Sequence, residues 1–511
     1  MDYAKSLRIN MEENNSKKLR RRSTNINVNS AEFKKAGYWL VDQIAALFEE
    51  MDTRPLTTIK SGEEIANLLQ QKAQFGEDGQ PLQTLIEGTT EFLTTNSLYN
   101  GHPGFMGYIT SSPAPLGVLA DMLAAAVNPN VGASTLSPAA TQMERQAIQW
   151  IAEFIGYPSD AGIMVSGGNM ANFVGFVAGM RAKLGLDIRS TGLINTDKSP
   201  VVYTSRETHT WIQKAMDLFG LGTDQIRWIG TDEHRQMNLE ELDQTIKEDL
   251  RNNKNPIMII GTAGSVSMGV LDPLAEIYKI SQKHRLWFHI DGAYGGFAAS
   301  LPELQDQFAG FAMADSIAVD PHKWLYAPLE VGCTLVKNAQ YLTDAFSYHP
   351  PYYQFSNTEV NFVDYGLQNS RGFRALKVWL SLQHLGINGY RQLIREDIAL
   401  ASYAYQLFDA DPALEVVSNY LSITTFRYVP LHLKDRDDEH TLNYLNKLNQ
   451  TLLSRLNHSQ ELFLSNAIDQ GRFLLRMCIV NFRTTTEVLD KIPGLVKKYG
   501  TEVEQEMQLT S

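Results

Sequence analysis

Between residues 160 and 325 the chain repeats one local pattern. A short apolar run stops abruptly on serine, threonine, glycine or aspartate. Residues 163–165 precede "SGGN", 201–203 precede "TSRETH" and 257–260 precede "GTAGS"; 286–290 precede "DGAYGG" and 317–319 precede "DPHK". Helical stretches separate these runs. A strand that is apolar on both faces needs cover on both faces, as in a parallel sheet flanked by helices. In such sheets, ligands gather beyond the carboxyl ends of the strands. Every polar cluster in the series falls at such an end, and this placement is the first functional signal.

The flanking segments read differently. At 511 residues the chain is too long for one simple core. Residues 1–29 are polar, with a basic cluster at Lys17, Lys18, Arg20, Arg21 and Arg22, and read as a disordered tail. Residues 30–110 are helical. Phe33, Trp39, Leu40, Ile44 and Leu47 form an apolar stripe that has to bury itself within the subunit or across a dimer. Residues 111–380 carry the strand-end clusters and form the large domain. In 381–511, "LSITTFRYV" and "RFLLRMCIVNF" read as strands joined by the helical "HTLNYLNKLNQTLLSRLN", a small α+β domain.

Composition narrows the function classes. A formal net charge of −12 argues against nucleic acid as the main partner. No apolar run reaches the length of a membrane span, so no membrane partner is expected. The two cysteines, Cys333 and Cys478, are far apart and lack metal-ligand spacing. They fit a reducing compartment, and the cytoplasm is the expected location.

Four strand ends carry candidate chemistry. Gly168 and Asn169 lie where a strand gives way to a helix, and a helix N-terminus suits a phosphate. The dinucleotide spacing GxGxxG is absent. Asp291 ends an apolar strand and needs a partner for its charge. His209 offers a flat ring that can stack on another. Lys323 is a reactive amine if it faces a desolvated cleft. Taken singly, each has an ordinary reading as a tight turn, a cap, a surface imidazole or a solvated lysine. Together they supply the phosphate cradle, ring acid and Schiff-base lysine that pyridoxal 5′-phosphate requires.

The sequence also resembles the pyridoxal-phosphate-dependent group II amino acid decarboxylases, most closely the aromatic-L-amino-acid decarboxylase type. The resemblance runs from about residue 30 to the C-terminus. It rests on "GHPGFMGYIT", "SPAATQMER", "SGGNMANF", "THTW", "GTAGS", "HIDGAYGG", "VDPHKWL" and "DAFSYHPPYY". It implies an α/β fold of the aspartate-aminotransferase-like class (fold type I), with a mainly parallel central sheet. It also implies a homodimer with the active site at the interface. Lys323 would form the Schiff base, Asp291 would hold the ring nitrogen protonated, and His209 would stack on the ring and orient the substrate. Gly168, Asn169, Thr262, Ala293, His322 and Asp320 would lie about the cofactor. Thr110 would lie in the substrate site. Tyr352 would protonate the α-carbon from a mobile loop.

Three departures from the animal enzymes stand out. Asp320 replaces an asparagine, and a carboxylate beside a phosphate is repelled, so it points away, pairs with a cation or is protonated. Asn169 replaces a serine. Gly132, Ala133 and Ser134 replace the aromatic residues that line the ring pocket. Aromatic amino acids are still the first expectation, with glutamate, 2,4-diaminobutyrate, histidine and cysteine sulfinate as alternatives. An aminotransferase or lyase on the same fold would want an arginine for the substrate carboxylate, and Arg371 is the nearest candidate in sequence order. A non-catalytic binding scaffold is the alternative from another class.

Overall fold

The computed structural model describes residues 26–58, 60–72, 75–159, 161–193, 197–349 and 359–509. The chain divides into two units between Leu98 and Tyr99.

The first unit contains α1 (Ser30–Glu49), α2 (Gly62–Lys72) and α3 (Leu82–Asn96). The Asn29 side chain caps α1, accepting the Ala31 and Glu32 N–H groups at 3.0 Å each. A reciprocal box opens α2: the Glu64 N–H donates to Ser61 Oγ at 3.2 Å, and the Ser61 N–H donates to the Glu64 carboxylate at 2.7 Å. Of the stripe read from the sequence, Phe33 is exposed, while Trp39, Leu40, Ile44 and Leu47 are half-buried.

The second unit is built on a seven-stranded sheet. Its strands are β1 (Gly162–Val165), β2 (Pro200–Ser205), β3 (Ile226–Ile229), β4 (Asn255–Thr262), β5 (Trp287–Asp291), β6 (Ser316–Val319) and β7 (Gly332–Val336). Their spatial order is β1-β7-β6-β5-β4-β2-β3. β3, β2, β4, β5 and β6 pair in parallel, and β7 is antiparallel to both β6 and β1. The sheet is therefore α/β and mainly parallel, as expected. Two strands were not anticipated: β7, and the edge strand β3, whose middle residues Arg227 and Trp228 are only half-buried. The register pairs Thr262 with Asp291 and Asp291 with Ala318, so three neighbouring strands end at one level.

The unit's helices include α4 (Pro115–Val127), α5 (Pro138–Ile155), α6 (Gly168–Leu184) and α7 (Trp211–Leu218). Residues 171–180 of α6 are all buried, which fits a helix that is apolar all round and lies against the sheet. Gly175 permits the close approach, since a Cβ there would sit 2.7 Å from His289 Cε1. His289, fully buried on β5, bridges sheet and helix. Its Nδ1 meets Ser316 Oγ and its Nε2 meets Asn172 Oδ1, both at 2.8 Å. Burial pushes its pKa down to about 4, so the ring is neutral.

The C-terminal part carries a four-stranded antiparallel sheet instead of two strands. Its strands are β8 (Leu414–Tyr420), β9 (Ile423–Tyr428), β10 (Ser465–Asp469) and β11 (Arg472–Cys478), in the order β10-β11-β9-β8. A long helix, α8 (Ala375–Asp409), runs through residue 380 and kinks at Gly386, whose φ of 64° is non-helical.

Candidate active site

The ends of β1, β2, β4, β5 and β6 meet at one cavity of about 150 Å³. Nine of the eleven residues singled out in the sequence line it. Gly168 and Asn169 follow β1, His209 follows β2, and Thr262 ends β4. Asp291 ends β5 with Ala293 just beyond, and Asp320, His322 and Lys323 follow β6. Thr110 lines a wider cavity of about 590 Å³, which shares His209, Val266 and Lys323 with the first. Tyr352 lies outside the described residues.

One end of the inner cavity is the N-terminus of α6, a position suited to an anion. Gly167 (φ 83°) precedes α6, and no side chain caps the helix. The left-handed turn suits glycine. The uncapped first turn directs N–H groups and the positive dipole end at the cavity. Gly168 is needed for space, because a Cβ there would lie 2.5 Å from Asp320 Oδ2 and 3.2 Å from Ala293 Cβ.

Asp291, which also lines the inner cavity, is buried. Its Oδ2 accepts the Trp211 indole N–H at 2.8 Å, and its Oδ1 accepts the Ala293 N–H at 3.2 Å. These bonds fix the carboxylate and leave lone pairs for one further donor.

Lys323 Nζ lies 3.2 Å from Asp320 Oδ2, and His322 Nε2 lies 3.7 Å from the same oxygen. Of the three expectations for Asp320, pairing with a cation is the one seen. Its Oδ1 is buried without a partner among the described residues. The His322 Nδ1–H donates to the Val331 carbonyl at 2.6 Å, and the Ser111 hydroxyl donates to the His322 carbonyl at 2.7 Å. The second contact brings the Thr110 segment beside the lysine.

His209 is open to solvent on one side. Desolvation by its neighbours lowers its pKa; Asp291 opposes the shift and Lys323 and Lys214 reinforce it. The ring is therefore held neutral near pH 7. Thr208, the preceding residue, sits in a hydroxyl chain with Thr204 at 2.6 Å and Thr262 at 3.3 Å.

Arginine is where the sequence reading and the structure part. Arg371 lines neither cavity. It is buried against Glu144 at 2.5 Å and donates to the Val131 and Met164 carbonyls. Arg476, which the sequence reading passed over, lines the outer cavity and is 2% exposed. Its Nη1 donates to the Tyr108 carbonyl and to Ser465 Oγ, while Nε and Nη2 find no partner among the described residues. The signal was present: a charge, Arg476, amid the apolar residues of "RFLLRMC".

The donor set fits pyridoxal 5′-phosphate. It offers an uncapped helix terminus for a phosphate, a fixed buried acid for a ring nitrogen and an amine between two cavities. No group of His, Cys, Asp and Glu suited to a metal occurs among the described residues. Fold and site together define a pyridoxal-phosphate enzyme of fold type I. The model of the pyridoxal-dependent decarboxylase conserved domain matches residues 63–429. The chain belongs to this family, and it is a pyridoxal-phosphate-dependent amino acid decarboxylase, a carboxy-lyase. It is 32% identical to an aromatic-L-amino-acid decarboxylase of Bacillus atrophaeus, over 94% of this chain and 98% of that protein. It is 28% identical to a phenylacetaldehyde synthase of a Rosa hybrid cultivar, over 89% and 91%. The fold matches that of the Oryza sativa TDC crystallised with PLP and tryptamine, with a TM-score of 0.86 at 24% identity, covering 94% of this chain and 99% of that one.

Proposed function

We propose that the enzyme removes the α-carboxylate of an aromatic L-amino acid, releasing the amine and carbon dioxide, with Lys323 as the covalent anchor of the cofactor. The observation that carries this reading is the position of Lys323 on the wall shared by the two cavities. The inner cavity holds the buried acid Asp291, and the outer one holds the buried cation Arg476. The name of the Bacillus relative supports an aromatic side chain.

The cofactor, when bound, supplies an electron sink for the pair left on the α-carbon as carbon dioxide departs. Asp291 keeps a proton at the ring nitrogen. The Gly168 and Asn169 backbone holds the phosphate. Thr262, Ala293 and His322 shape the pocket, and the neutral His209 ring covers one face. Asp320 holds the Lys323 amine in place before reaction. Arg476 and Thr110 engage the substrate, the guanidinium attracting its carboxylate. Tyr352 delivers a proton to the α-carbon.

A homodimer is part of the proposal. On α4, Leu119, Met122, Leu123 and Val127 are all more than half exposed in the single chain, which suits a face meant to be covered. The cytoplasm is the proposed compartment, because both cysteines are free and buried. No helix among the described residues is long and apolar enough to cross a membrane.

The test is a panel of L-amino acids, with carbon dioxide, amine, aldehyde and keto acid followed together. Aromatic substrates should release carbon dioxide and amine in equal amounts. Aldehyde as the sole product, or keto acid without carbon dioxide, would overturn the reading.

A further inference from the structure

We infer that Asp397 is a positioning residue for this reaction: through Trp324 and Tyr326 it clamps the loop that carries Lys323 and holds it against the loop that follows Asp291. The inference rests on the proposed role of Lys323 as the anchor.

Asp397 lies on α8 and is 2% exposed. It lines neither cavity. Its Oδ2 accepts the Trp324 indole N–H at 2.8 Å and the Tyr326 hydroxyl at 2.6 Å. One oxygen therefore pins two side chains of the turn that follows Lys323.

Tyr326 has a φ of 53°, an uncommon conformation for a bulky residue. Its N–H donates to the Lys323 carbonyl at 3.1 Å, and its carbonyl accepts the Ala114 N–H at 2.9 Å. Such a conformation persists only when the surroundings over-determine it, and the Asp397 contact is one of the constraints.

Trp324 extends the clamp to the acid. Its ring stacks on Tyr294 with centroids 4.9 Å apart. Tyr294 lines the inner cavity three residues after Asp291, and its hydroxyl meets Ser422 Oγ at 2.7 Å and accepts the Ser422 N–H at 3.0 Å. The lysine loop and the loop that follows Asp291 are thus located by the same pair of stacked rings.

Burial pushes the Asp397 carboxyl up to about 7, although Tyr326, Trp324 and the Asn481 backbone hold it down. An apolar side chain would fill the space at less cost but would leave both aromatic donors without a partner.

The test measures how fast apo protein captures pyridoxal 5′-phosphate at Lys323, trapped by borohydride and read by mass spectrometry, alongside the thermal midpoint. Asp397→Leu should slow capture about tenfold, and Asp397→Asn, which keeps an acceptor, should slow it less. The double variant Trp324→Phe/Tyr326→Phe should match Asp397→Leu, and adding Asp397→Leu to it should slow capture no more than about twofold further. Capture within about twofold of the parent in Asp397→Leu overturns the inference, even if the midpoint falls. If Asp397→Leu does not fold, the same result in the double variant overturns it. Lys323→Ala separates the two readings: capture that survives this change refutes the anchor itself.

Discussion

Lys323 Nζ and Asp320 Oδ2 are 3.2 Å apart, joined across the turn that ends β6. The same Oδ2 would lie 2.5 Å from a Cβ on Gly168, so the carboxylate also guards the N-terminus of α6. Asp320 therefore pairs with the lysine amine and sets a carboxylate beside the uncapped end of α6, where the proposed function puts a phosphate.

Removing that charge should help cofactor loading. Asp320→Asn is expected to tighten pyridoxal 5′-phosphate binding to the apo protein about tenfold, measured by absorbance titration. Weaker binding would show that Asp320 supports the cofactor instead of opposing it.

Asp291→Asn keeps the shape of the side chain and an acceptor, yet cannot hold a proton at a ring nitrogen. kcat should fall by about a hundredfold or more, with the cofactor still bound. A stopped assay and a cofactor-loading measurement on the same sample check both halves.

Arg476→Met tests the outer cavity. If the guanidinium meets the substrate carboxylate, kcat/KM should fall about tenfold to a hundredfold, mostly through KM. An unchanged KM would assign the residue to packing around Tyr108 and Ser465.

His289 predicts a stability profile in pH. Its folded pKa of about 4 lies below the ordinary 6.5, so the unfolded chain takes up a proton first as pH falls. Stability from this group is intact above pH 6.5 and is lost as pH falls towards 4, by at most about 3 kcal/mol. Urea midpoints at several pH values should show the loss, and His289→Gln should flatten it.

Arg371 and Glu144 make a structural pair. Arg371→Met should destabilise the fold by about 3–5 kcal/mol, because it strands a buried carboxylate. Adding Glu144→Met should restore much of the loss, as read by urea unfolding.

The strand ends were legible because a doubly buried strand leaves an unbroken apolar run, and the change to Asp, Gly or Thr marks its end. β3 escaped notice for the opposite reason. At the sheet edge, Arg227 sits in the strand and pairs with Asp249 at 2.9 Å, which breaks the run. β8 and β10 mix polar and apolar residues, being half-covered, and were missed likewise. The clamp at Asp397 could not be read from the chain at all. Its partners are 71 and 73 residues away, and nothing local distinguishes that aspartate from a solvated one on a helix. Arg371 misled because sequence order placed it near the site while its burial against Glu144 took it elsewhere.

The reversed strand β7 has a mechanical consequence. The chain leaves the sheet after Val319 and re-enters it at Gly332, with Val319 opposite Cys333 in the ladder. The lysine thus rides on a handle whose two ends are stitched into adjacent strands. Swinging that handle outward would unzip the pairs from Val319 to Ser316. The wide outer cavity, which Lys323 lines, offers an approach to the amine that leaves those pairs intact.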